Sequence, residues 1–137
     1  LRRVFMENIL SIKETTFKKN DNDWRDYDGY EITTDKQIIK IGIDNLQNCC
    51  EQWGYFVTED DLNEYIGANL ISISKTDKML NTERIKELEE DCETYTMFVT
   101  FETDNGSFQF VAYNSHNGYY GHDAIIISEQ LNVVECL

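Results

Sequence analysis

Both histidines of the chain, His116 and His122, fall within one ten-residue segment, NSHNGYYGHD (114–123). Imidazole titrates near neutral pH and is a common metal ligand, so two rings this close invite a chemical reading. A second segment, DNLQNCCEQWGYF (44–56), holds the adjacent Cys49 and Cys50. Thiolate and imidazole are the preferred donors of zinc. Cys49 or Cys50 with His116 and His122 would therefore make a zinc site, Asp123 or Glu51 completing four ligands. The spacing supports this only weakly, because neighbouring cysteines are not the C-x2-C pair of a zinc ribbon. The same residue types also suit a cysteine nucleophile beside a histidine base.

A reading without chemistry stands beside these two. Tyr119 and Tyr120, with Trp53 and Tyr55, offer flat apolar area with polar tips, which suits a ligand pocket, a protein interface or the closed edge of a core. Each histidine would then satisfy a backbone carbonyl, and Gly118 and Gly121 would let the loop fold back on itself. The ligand or interaction candidates are Trp53, Tyr55, His116, Asn117, Tyr119, Tyr120, His122 and Asp123. The metal candidates are Cys49, Cys50, His116 and His122, zinc being the only cofactor in view, and no catalytic residue is assigned.

Several common sites lack their signal. In DNDWRDYDGYEI (21–32), Asp21 and Asp23 match the first and third positions of a calcium loop, but Arg25 stands at the fifth, Asp26 replaces the required glycine and Ile32 the closing glutamate. There is no phosphate-binding glycine loop, no H-E-x-x-H and no nucleophile elbow.

Charge narrows the partners. Twelve basic and 26 acidic residues give a net charge of −14 over 137 residues. The imbalance is uneven: residues 1–20 carry five basic and two acidic side chains, residues 21–104 seven and 21, and residues 105–137 none and three. Such a surface repels phosphates, so nucleic acid is not expected as a ligand. The charge serves solubility, or forms an acidic face that competes for a basic protein surface. No apolar run reaches the length of a membrane span, and the first ten residues do not form a secretory signal. A cytoplasmic location with reduced cysteines is the expectation. Met6 is one candidate start; in the other reading Val4 and Phe5 begin a strand. Oligomeric state is not legible.

The elements that must position these residues read as follows. A hydrophobic fraction of 41% supports one domain over 1–137, with 1–26 a polar or extended N-terminal segment. KKNDNDWRDYDG (18–29) reads as an exposed loop. YEITTDKQIIKIGID forms a hairpin with Ile39, Ile41 and Ile43 on one face. Thr58 and Asp61 at capping-box spacing predict a short helix through TEDDLNEYI, and NTERIKELEEDC (81–92) predicts a second. NLISIS (69–74) reads as a strand. ETYTMFVTFETDNGSFQFVAYN alternates on both sides of Asn105-Gly106, the strongest local hairpin signal. AIIIS (124–128) reads as a strand buried on both faces. The expected class is α+β: a mainly antiparallel sheet of about five to seven strands, with one or two short helices on one face.

The stretches CCEQWGYF (49–56) and FVAYNSHNGYYGHDAIII (110–127), with KIGIDN (40–45) and YIGANLISI (65–73), resemble a small domain family of unknown function found in phage and mobile-element proteins of bacteria. The resemblance covers roughly residues 27–128. It implies an intracellular protein of an infected or lysogenic bacterium and brings no settled activity. It puts Cys49, Cys50, Glu51, Trp53, His116, Asn117, Tyr119, Tyr120 and His122 forward as one cluster. By analogy, small acidic phage proteins inhibit host machinery by occupying a basic surface.

Overall fold

The computed structural model describes residues 6–46, 52–59, 61–76, 93–116 and 121–137, with only the backbone for Glu93 and His116. Nine strands form one antiparallel sheet: β1 (Glu7–Phe17), β2 (Tyr27–Thr34), β3 (Ile38–Asp44), β4 (Gln52–Val57), β5 (Asn69–Thr76), β6 (Glu93–Thr103), β7 (Gly106–His116), β8 (Asp123–Ile127) and β9 (Val133–Cys136). Their order is β4-β7-β6-β5-β1-β2-β3-β8-β9.

This corrects the α+β expectation. Among the described residues there is no α-helix, only a 3-10 turn at Leu62–Tyr65. Asp61, not Thr58, caps that turn through the Asn63 amide. Thr58 is held in the β4–β7 ladder instead, its amide donating to the Gln109 carbonyl and its hydroxyl accepting from the Gln109 amide. Gly67 at φ 89° then turns the chain into β5. An i, i+3 apolar pattern of two turns is too short to hold a helix against a ladder that claims its first residue. The helix expected over 81–92 lies outside the described residues.

The strand count rises to nine because β4 and β9 were not read as strands and β1 stood only as an alternative, a strand beginning at Val4 and Phe5. Residues 1–26, expected as a polar or extended segment, contain β1. The hairpins stand as expected. β2 pairs with β3 around Asp35-Lys36, and Ile39, Ile41 and Ile43 are all buried. β6 pairs with β7 along its whole length. Gly106 takes φ 110° just after Asp104-Asn105, so the positive φ falls on the residue without a Cβ. In β8, Ile125 and Ile126 point to opposite faces and into separate clusters, as a doubly buried strand requires.

The sheet folds over because of its central joint. β1 meets β5 only through Glu7↔Leu70 and Asn8↔Asn69. Immediately afterwards the register shifts in both strands, at Ile9/Ser11 against β2 and at Leu70/Ser72 against β6. Bulges bend strands and raise their twist. The halves β4-β7-β6-β5 and β1-β2-β3-β8-β9 then close on a shared core that includes Ile9, Ile32, Ile41, Met97, Phe101, Phe110 and Ile126. Each such side chain, fully buried, contributes roughly 1.5–3 kcal/mol. The layers cross steeply: on β4, Trp53 meets His122 at the start of β8, while Tyr55 two residues on reaches Glu14 of β1.

On the outer face of the second half, Gly29 and Gly42 oppose each other. A Cβ on Gly29 would stand 1.9 Å from the Ile41 carbonyl oxygen, and one on Gly42 would stand 3.0 Å from the Phe17 ring. Phe17 and Tyr27 stack here and cover Ile125.

Candidate functional site

The two stretches singled out in the sequence are neighbours. β4 pairs with β7, with Trp53 opposite Asn114 and Tyr55 opposite Ala112. His116 is the last residue of β7 and lies opposite Glu93. His122, six positions further on, is fully buried. Cys49, Cys50, Asn117, Tyr119 and Tyr120 lie outside the described residues. Among the described residues, no three His, Cys, Asp or Glu side chains are grouped to hold a metal ion.

His122 is fixed on several sides. Its ring stacks on Trp53, centroids 5.0 Å apart at 25°. Nδ1 lies 2.8 Å from the Asp44 carbonyl oxygen, to which its N–H points, and also 2.8 Å from Asp44 Oδ1, which sits off the N–H axis. Two acceptors at that distance place a proton on Nδ1. The backbone of His122 exchanges hydrogen bonds with Leu137 in both directions, and Asn114 donates to the same Leu137 carbonyl. Burial works against the Asp44 charge, but the adjacent His122 and the amide of Asp123 outweigh it and hold the carboxyl below its ordinary value. Asp123 itself receives Arg25, which also binds Asp23. This end of the sheet is a clasp joining β3, β4, β7, β8 and the residue after β9.

Tyr55 belongs to a second cluster. Its ring stacks on Phe110 at 5.7 Å and meets Tyr30 edge-on. Its hydroxyl donates to Glu14 Oε1 at 2.6 Å, and Tyr30 reaches Glu14 Oε2 at 3.5 Å. Burial and then Glu14 push both phenols above their usual range. Beside them an open cleft of about 410 Å³ is lined by Glu14, Thr15, Thr16, Asp28 and Tyr55. Asp28 accepts from Thr16 Oγ1 at 2.7 Å and Asn45 Nδ2 at 3.0 Å. The donors to Glu14 and Asp28 are neutral, and among the described residues neither carboxylate has an ion pair.

Sequence reasoning thus named Trp53, Tyr55, His122 and Asp123 but missed Asp44, Glu14 and Asp28. Asp44 carried a faint signal, a carboxylate closing an isoleucine-rich strand. Glu14 and Asp28 carried none, since their neighbourhood depends on how the two layers cross.

Fold and site define an antiparallel two-layer β protein with a buried His–Asp–Trp clasp at one end and an acidic cleft between its layers. The chain belongs to the family described as Domain of unknown function (DUF7448), whose profile matches residues 2–126. No curated protein and no solved structure gives a significant match. No helix among the described residues is long and apolar enough to cross a membrane.

Proposed function

We propose that this chain is a binding protein that occupies a basic surface of a protein partner, as an inhibitor of a host factor in a phage or prophage setting. The observation that carries the reading is the cleft, where Glu14 and Asp28 are held by neutral donors and keep their charge available to a cation from outside. The net charge of −14, carried mainly by residues 21–104, favours basic partners over acidic ones. The phage setting is supported only by the family resemblance. This reading involves no catalysis.

The test is capture from bacterial lysate at low ionic strength, followed by a salt gradient. A basic protein should elute as salt approaches about 0.5 M, where screening shortens to a few ångströms. Neutralising Glu59, Asp60 and Asp61 together should weaken its capture. Retention that ignores both salt and these substitutions would remove the electrostatic basis of the reading.

The second reading is a metal site built on His116 and His122 with Cys49 and Cys50. It is favoured by the Asp44–His122 pair, because a carboxylate or carbonyl on Nδ1 is how proteins orient a histidine that ligates through Nε2. Elemental analysis of untagged protein decides it: about one zinc per chain, lost in His116→Ala/His122→Ala, supports the site, and no metal in either protein rejects it.

A further inference from the structure

The acidic cleft adjoins a second feature. β1 is paired on both sides only at its start. Beyond Asn8 its remaining ladder contacts are the carbonyl and amide of Ile9, which meet Gly67 and Ala68, and from Leu10 to Phe17 it has β2 alone as a strand neighbour among the described residues. Leu10, Ser11, Lys13, Glu14 and Thr16 are exposed along that edge. An extended strand with a free edge presents unpaired amides and carbonyls to any chain that lies alongside. Closed sheets cover such an edge; here β4 meets β1 through the Tyr55–Glu14 hydrogen bond, and among the described residues no backbone ladder joins the two.

We propose that the open edge of β1 docks an extended segment of a basic partner protein by strand addition, with the Glu14–Asp28–Tyr55 cleft receiving one lysine or arginine side chain. This rests on the reading of the chain as a binder of basic partners and names the place and mode of contact. Strand addition supplies affinity through main-chain hydrogen bonds, and pockets for alternate side chains supply specificity. The cleft is positioned for that second role. In the β1–β2 register Glu14 faces Tyr30 and Thr16 faces Asp28, so the two carboxylates lie diagonally on one face of the ladder, about 7–8 Å apart at Cα. A guanidinium or ammonium group between them meets negative charge on both sides and the Tyr55 ring as a wall. A like-charged segment would meet Glu14 and Asp28 as repulsion, which excludes acidic partners.

The experiment uses the full chain and three synthetic octapeptides at low ionic strength: alternating Val-Lys, the same peptide N-methylated at every backbone nitrogen so that neither edge can donate, and alternating Val-Glu. Binding is read by calorimetry, and the site by hydrogen exchange of the β1 amides. The Val-Lys peptide should bind and slow exchange across residues 10–16, the N-methylated and Val-Glu peptides should not, and Glu14→Gln/Asp28→Asn should weaken Val-Lys binding by about tenfold or more. Equal binding of the N-methylated peptide, or unchanged exchange in β1, overturns strand addition while leaving the basic-partner reading intact. Absence of Val-Lys binding overturns the inference as well. The broader reading fails separately, when the lysate capture yields no salt-sensitive basic protein. Because the peptide comparison is made on the unaltered chain, it holds even if the double variant folds poorly.

Discussion

Trp53 and His122 lie face to face across the two layers, their ring centroids 5.0 Å apart, although 69 residues separate them along the chain. The stack joins β4 to the start of β8, and Asp44 at the end of β3 holds the far edge of the imidazole. His122→Ala removes the stacking surface and leaves buried Asp44 without its ring partner. It should cost about 1–3 kcal/mol of stability in urea denaturation. A variant as stable as the parent would show that the ring contributes nothing to closing the layers.

Asp44 also sets an acid limit. Its folded-state pKa lies below the ordinary carboxyl value of 3.8, so the unfolded chain takes up this proton first as pH falls. The stabilisation is therefore complete well above that value and is lost as pH drops through the lowered folded value. Asp44→Asn should flatten the decline in melting temperature below about pH 4. An identical acid profile in the two proteins would dissociate Asp44 from the transition.

At high pH the tyrosines set the opposite limit. Burial and then the hydrogen bond to Asp23 push Tyr27 up to about 12, and Tyr30 and Tyr55 are raised by burial and Glu14. Raised pKa values mean that the folded chain holds these protons longer than the unfolded chain. Stability is thus full below about pH 10 and falls as pH rises from there toward 12. Ultraviolet titration should show a tyrosine group ionising late and together with unfolding; complete ionisation near pH 10 in folded protein would contradict the burial of these phenols.

Two glycines should respond unequally to alanine. At Gly29 the new Cβ meets backbone, 1.9 Å from Ile41 O and 2.6 Å from Gly42 Cα, so β2 and β3 must part. At Gly67 the space is open and only the φ of 89° opposes a side chain. We expect Gly29→Ala to cost about 3 kcal/mol or more and Gly67→Ala about 1 kcal/mol, measured by chemical denaturation. The reverse order would mean that the β2–β3 ladder yields more easily than its spacing implies.

What the sequence revealed, it revealed through local rules. Period-2 isoleucines marked β3, and the Asp104-Asn105-Gly106 turn marked the β6–β7 hairpin, because both signals are complete within a few residues. β1 stood only as an alternative, a strand beginning at Val4 and Phe5, because its alternation carries exposed Leu10 and Lys13 and only a half-buried Ile12, so no apolar face stands out. β4 was missed because its side chains are all half-buried or exposed. The helix at Leu62 was overread, since capping residues say where a helix could begin and nothing of how far packing lets it run. At the site, aromatic and histidine content pointed to the right strands, but the partners of those residues come from β1, β2 and β3 through the crossing of the layers.

The joint between β1 and β5 sets the order in which the molecule can assemble. The strands on either side of it, β1-β2-β3 and β5-β6-β7, are pairings of chain neighbours, whose longest connection is the 16 residues between Thr76 and Glu93. Joining Glu7 to Leu70 and Asn8 to Asn69 closes a loop of roughly 60 residues, for only two residue pairs in return. That closure is repaid only when the two apolar faces meet. Docking of the halves is then the late and slow event of folding, and a chain halted before it would carry two formed meanders with their apolar faces in water.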